Sequence, residues 1–148
     1  MSNARVQLAL NVADIDQSVA FYSQLFNTQP AKLRPGYANF EVAEPPLKLV
    51  LIQGGEPGSL NHLGVQVGDP ATVAEAAERL AAAGMATRVE EESTCCYAVQ
   101  DKVWVAGPGG EQWEVYTVLD DAGSEYEGTS QLSGGARPPL ELTGTGCC

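Results

Sequence analysis

The chain has 148 residues, with 8 Lys+Arg against 19 Asp+Glu, a formal charge of −11, 44% hydrophobic residues and 18% charged ones. That is enough apolar material for a core and excludes global disorder. The acidic balance disfavours nucleic acid and anionic membranes as partners, and no apolar run approaches the roughly 20 residues that span a bilayer.

The opening Met-Ser-Asn-Ala-Arg runs straight into a strand-like alternation, with no signal-like segment before it. The expected compartment is therefore cytoplasmic. Over residues 6–12, Leu8, Leu10 and Val12 share one face and Gln7 takes the other. A helix is predicted from an N-cap at Asp14, with Gln17 at the capping-box position. Its apolar stripe is Ile15, Val19, Tyr22, Leu25 and Phe26. Strands follow at about 31–34, 37–42 and 47–52, separated by Pro35-Gly36 and Pro45-Pro46.

The pattern then starts again. Residues 61–67 repeat the first alternation at an offset of 55, so His62 occupies the position of Gln7. Leu63, Val65 and Val67 form the matching apolar face. Asp69-Pro70 opens a second helix with stripe Val73, Ala76, Ala77 and Leu80, ended by Gly84. Strands are predicted at about 86–91, at 97–99 running into 102–106, and at 112–118, with Gly107-Pro108-Gly109-Gly110 as a turn. Gln100-Asp101-Lys102 reads first as a polar turn; the alternative is that Asp101 and Lys102 gate or line a cavity mouth.

Each half is β-α-β-β-β. The fold class is α+β: two βαβββ modules, about 1–55 and 56–119, whose curved mixed sheets enclose a metal-binding cavity. Gln7 and His62 would point towards each other on the inner face. Residues 120–148 carry five acids, one base and six glycines with no apolar periodicity, and read as an acidic, Gly-rich flexible tail.

His62 is the single histidine. Taken alone it is an ordinary structural or surface residue. Glu114 stands among apolar residues in the last predicted strand, where a buried carboxylate is costly unless it is paired or binds a metal. Gln7, His62 and Glu114 at matched strand positions supply the N and O donors that suit a divalent first-row metal. The four cysteines form two adjacent pairs, Cys95-Cys96 and Cys147-Cys148. A reducing cytosol and the strain of a vicinal bridge make thiols the expected state. In a loop both sulfurs of Cys95 and Cys96 can reach one soft ion, Cu(I), Cd(II) or As(III). The Glu90–Glu92 run raises thiol pKa, which suits a ligand better than a nucleophile. Cys147-Cys148 reads as a dispensable end or a second soft-ion site. There is no P-loop, dinucleotide fingerprint or nucleophile elbow.

The two modules, the ligand position opening each, and the final-strand Glu resemble the vicinal oxygen chelate superfamily, which includes glyoxalase I, bleomycin and fosfomycin resistance proteins and extradiol dioxygenases. The stretch Thr94-Cys95-Cys96-Tyr97-Ala98-Val99-Gln100-Asp101-Lys102-Val103-Trp104-Val105, with Trp113-Glu114-Val115-Tyr116, is similar to the organoarsenical carbon–arsenic lyases and their cadmium-induced-protein relatives. The resemblance implies an Fe(II)- and O2-dependent enzyme that cleaves the carbon–arsenic bond of trivalent organoarsenicals, methylarsonous acid and reduced aromatic arsenicals, releasing arsenite. It implies Gln7, His62 and Glu114 as catalytic metal ligands, and Cys95 and Cys96 as the As(III) ligands, with Tyr97 and Lys102 as further substrate-binding residues. Two other classes stay open: a Cd- or As-sequestering protein without turnover, and a glyoxalase-like or thiol-transferase enzyme. The modules could pair within one chain or across a homodimer.

Overall fold

The computed structural model describes residues 4–95 and 98–121. In chain order the elements are β1 (Arg5–Val12), α1 (Ile15–Leu25), β2 (Lys32–Arg34), β3 (Tyr37–Val42), β4 (Leu47–Gln53), β5 (Leu60–Gln66), α2 (Pro70–Ala82), β6 (Thr87–Cys95), β7 (Ala98–Ala106) and β8 (Gln112–Asp121). The βαβββ unit therefore occurs twice. All eight strands join one curved, unclosed sheet in the order β2-β3-β4-β1-β5-β8-β7-β6. Within each module the first strand pairs in parallel with the last: β1 with β4, and β5 with β8. The modules meet at the antiparallel pair of β1 and β5, inside one chain.

Both helices lie on one face of the sheet. Asp14 and Asp69 cap them as predicted, accepting hydrogen bonds from the backbone N–H of Gln17 and Thr72. Ile15, Val19, Tyr22 and Phe26 of the first helix region pack on Phe40, Val42, Leu49 and Leu51. Leu25, expected in that stripe, is 58% exposed instead. It lies beyond the roughly 100°-wide stripe the sheet covers. On α2, Val73 and Ala76 are buried against Val103. No described helix is long and apolar enough to cross a membrane.

Three boundaries differ from expectation. β6 continues to Cys95, beyond the predicted end near residue 91. β8 runs to Asp121, past residue 119. Gln100-Asp101-Lys102 is not a turn: it lies inside β7, paired with Val118, Thr117 and Tyr116 of β8. Gln100 and Lys102 belong to a polar concave face, while Asp101 lies on the helix side and accepts from the Glu92 N–H at 2.7 Å, so it does not line the cavity. Cys96, Tyr97 and the tail from residue 122, including Cys147 and Cys148, lie outside the described residues.

The other face of the sheet is concave. Cross-strand pairing places one row of residues along it: Glu41, Lys48, Gln7, Gly64, Glu114, Trp104 and Arg88, each opposite the next. The row crosses the module seam at Gln7 and Gly64.

Candidate metal centre and cavity

Three side chains converge at the seam. Gln7 comes from β1, His62 from β5 and Glu114 from β8. All three are buried. Gln7 Nε2 lies 3.2 Å from His62 Nε2 and donates to Glu114 Oε2 at 2.6 Å. His62 Nε2 is 3.1 Å from the same carboxylate oxygen.

Gly64 makes this convergence possible. It is the residue between Gln7 and Glu114 in the row. A Cβ there would come 2.9 Å from Glu114 Cγ and 3.0 Å from Gln7 Nε2. Only a missing side chain leaves the space open.

The ring of His62 is oriented by a polar relay. The pairing of β1 with β5 slips between Ala9 and Leu10, so that His62 pairs with Ala9, Leu60 pairs with Leu10, and Asn61 is the extra residue. Such a bulge re-aims side chains beside a site. Ser59 Oγ donates to the Glu56 carbonyl at 2.6 Å, so it must accept from Asn11 Nδ2 at 2.8 Å. Asn11 then presents Oδ1 to Asn61 Nδ2 at 3.0 Å, and Asn61 presents Oδ1 to His62 Nδ1 at 2.8 Å. The chain of donors has one direction, and its end requires a proton on Nδ1. In the neutral ring the lone pair of Nε2 then faces Glu114. Trp104 packs edge-on against the imidazole at 5.4 Å between centroids.

Glu114 is 2% exposed and its Oε1 lies 2.9 Å from Lys102 Nζ. That contact is one of charge rather than an aligned hydrogen bond. Burial alone would raise the Glu114 pKa; a hydrogen bond and charge from His62, available only with a proton on Nε2, and the charge of Lys102 hold it below the ordinary carboxylate value. Lys102 is itself 1% exposed, and its ammonium stands 5.4 Å from the Trp104 ring and 5.9 Å from that of Tyr116. Tyr116 donates to Gln7 Oε1 at 2.5 Å. Burial and then Glu114 push its phenol well above the usual range, so it stays a hydroxyl.

This arrangement fits a divalent metal. For bonds of about 2.1 Å, adjacent ligands of an octahedron are about 3.0 Å apart; His62 Nε2, Glu114 Oε2 and Gln7 Nε2, which holds the place the amide oxygen would take, stand 2.6–3.2 Å apart. A neutral imidazole lone pair and a carboxylate oxygen at 3.1 Å also repel unless a cation or proton lies between them. Gln7 would turn its amide to present Oε1, because the Tyr116 hydroxyl can accept from Nε2 as readily as it donates to Oε1. Among the described residues no three His, Cys, Asp or Glu side chains cluster; the third donor is an amide.

Beside the donors is a cavity of about 240 Å³. Gln7, Glu114 and Tyr116 form one wall, Tyr37, Lys48 and Val50 another, and Ala98 and Gln100 of β7 a third. Lys102 is not among its lining residues. Cys95, the last residue of β6, pairs in register with Ala98 at the edge of this cavity. The structure thus brings Gln7, His62, Glu114 and Lys102 together and sets the backbone of Cys95 against Ala98, at the margin of the cavity that Gln7 and Glu114 also line.

A family profile described as the glyoxalase/bleomycin resistance protein/dioxygenase superfamily matches residues 5–115. The chain belongs to that superfamily. Among solved structures, the Mn(II)-bound glyoxalase of Novosphingobium aromaticivorans aligns with a TM-score of 0.61 at 17% identity, over 82% of this chain and 41% of that one. The homoprotocatechuate 2,3-dioxygenase of Arthrobacter globiformis aligns with a TM-score of 0.59 at 21% identity, over 82% and 38%. The chain therefore spans less than half the length of these two structures, and the likeness is one of fold. Sequence relatives are closer. The chain is 64% identical over 121 residues to a trivalent organoarsenical cleaving enzyme of Thermomonospora curvata, covering 80% of each. It is 61% identical over 120 residues to the cadmium-induced protein CadI of Mycobacterium bovis, covering 80% of this chain and 79% of that one.

Alternation and repeat pointed to Gln7, His62 and Glu114. Alternation also set Tyr116 on the face of Glu114, but gave no sign of Gly64, Lys48 or the Asn11–Asn61 relay. A glycine in mid-strand was the one available signal, since such a glycine marks a close approach.

Proposed function

We propose that this chain cleaves the carbon–arsenic bond of trivalent organoarsenicals, methylarsonous acid and reduced aromatic arsenicals, in the cytoplasm, with Fe(II) and O2, and releases arsenite. The observation that carries the reading is the donor triangle opening onto a cavity whose margin is the Cys95 end of β6. The similarity to the Thermomonospora curvata enzyme supports the substrate class.

Gln7, His62 and Glu114 would hold the metal. When bound, Fe(II) supplies the electrons that make O2 reactive. In the neutral ring, the relay through Asn61 places the proton on Nδ1 and leaves Nε2 to the metal. Lys102 keeps Glu114 ionised in a site that would otherwise favour the neutral acid. Cys95 and Cys96 are the soft donors that suit As(III), with Tyr97 beside them. Arsenic held at that margin would present its organic substituent to the cavity that Gln7 and Glu114 line, which would remove much of the entropic cost of encounter. A neutral amide is a weaker ligand than a second imidazole, so the metal is expected to be loosely held.

The resemblance to the cadmium-induced protein of Mycobacterium bovis favours a second reading, soft-ion sequestration. That function needs the cysteines but not the triangle. Arsenite release from methylarsonous acid, measured in air and under argon with and without Fe(II), separates the two. Release that requires both air and Fe(II) supports cleavage. Stoichiometric binding without release supports sequestration and overturns it.

A further inference from the structure

The cavity contains a cation that cleavage does not use. Lys48 is the register partner of Gln7 and is only 7% exposed. Among the described residues its ammonium has neither a hydrogen bond nor an ion pair. It stands 5.9 Å from the centre of the Tyr116 ring. Lys102, the site's other buried ammonium, has Glu114. Glu41, opposite Lys48 on β3, is exposed and lines the same cavity, as Lys32 and Glu114 do; the charges of Glu41 and Glu114 reach Lys48 without an ion pair. A buried charge without a partner is costly, and cavities that keep one are built for an incoming group of opposite sign.

The volume points the same way. A cavity of roughly 150 Å³ takes a benzene molecule, and this one is about 240 Å³. A methyl group would leave most of it empty. Lys48 on β4 and Ala98 on β7 both line it although three strands separate them, because the sheet curves over the cavity. A ligand held at the Ala98 margin therefore extends its far end towards Lys48, between the walls of Tyr37, Val50 and Tyr116.

We propose that Lys48 binds an anionic substituent on the ring of an aromatic organoarsenical, so that the site selects acidic aromatic arsenicals over unsubstituted ones. The inference rests on the arsenical reading above for the class of ligand. It adds that the organic end of the molecule is recognised by charge.

The test is a binding ratio read without turnover. Metal-free full chain under argon is titrated with 4-carboxyphenylarsonous acid and with phenylarsonous acid, followed by tryptophan fluorescence. The wild type is expected to bind the carboxylated compound about tenfold more tightly. The ratio should fall to near one in Lys48→Met and persist in Lys48→Arg. Equal affinities in the wild type overturn the proposal before any variant is made. An undiminished ratio in folded Lys48→Met, or in Lys48→Gln if the first does not fold, overturns it too. Arsenite release is then assayed with Fe(II) in air. A charge preference without release removes the cleavage reading and keeps Lys48. Release with equal affinities removes Lys48 alone.

Discussion

Asn61 Oδ1 lies 2.8 Å from His62 Nδ1, and this one contact decides which nitrogen of the ring faces Glu114. Replacing the outer partner of a metal-binding histidine typically costs about 10–100-fold in metal affinity. Asn61→Leu should therefore weaken Fe(II) or Co(II) binding by about that factor. Asn61 is exposed, so circular dichroism and melting temperature should change little. Asn61→Asp keeps the acceptor and should retain binding. Equal affinities in all three proteins would remove the relay from the account of the site.

Gly64→Ala tests the space between the donors. The new methyl must displace Glu114 Cγ, Gln7 Nε2 or the Glu114 carbonyl oxygen, each about 3 Å away in the centre of a sheet. Overpacking of this kind costs about 1–3 kcal/mol. Urea denaturation should show that loss, and metal titration should show no saturable site.

Lys102→Met leaves the Glu114 carboxylate buried without its ammonium. Breaking a buried pair in this way costs about 3–5 kcal/mol. The double variant Lys102→Met with Glu114→Gln should recover part of the stability, because the orphaned charge is gone. A double variant no more stable than the single one would show that packing, not charge, sets the loss.

Asp69 gives a pH signature remote from the site. Hydrogen bonds from the Thr72 N–H and hydroxyl hold its carboxyl below the ordinary value of 3.8. A depressed folded pKa contributes stability that is present above the unfolded value and lost as pH falls through the folded one. Unfolding free energy of Asp69→Asn should thus approach that of the wild type as the pH is lowered from 5 towards 2.5. A constant gap across that range would rule out the carboxylate as the source.

Cys95→Ser and Cys96→Ser should each abolish arsenite release from methylarsonous acid while leaving the melting temperature within a few degrees. An oxygen is too hard a donor to hold As(III) in place of a thiolate. Full activity in either variant would remove the thiol site.

The repeat at offset 55 made the module architecture legible, and with it the meeting of Gln7 and His62. Helix starts were legible because Asp14 and Asp69 carry local chemistry that needs no tertiary context. Lys102 was harder. A Gln-Asp-Lys run suggests a solvated turn, because alternation reports only which face is apolar. Here both faces of β7 are covered, and the concave one is polar. Lys48 stood unnoticed for the same reason. Strand order was not legible at all: pairing β1 with β4 in parallel, and joining the modules at β1 and β5, depends on contacts between residues far apart in sequence.

The seam between β1 and β5 has a consequence for how the molecule comes apart. One donor belongs to the first module and two belong to the second, so neither half can hold an ion alone. A bound ion would act as a rivet across the joint. At a hundredfold excess over its dissociation constant it would add about 2.7 kcal/mol to the assembled form. Loss of metal would then be felt first as a loosening of one half of the chain from the other.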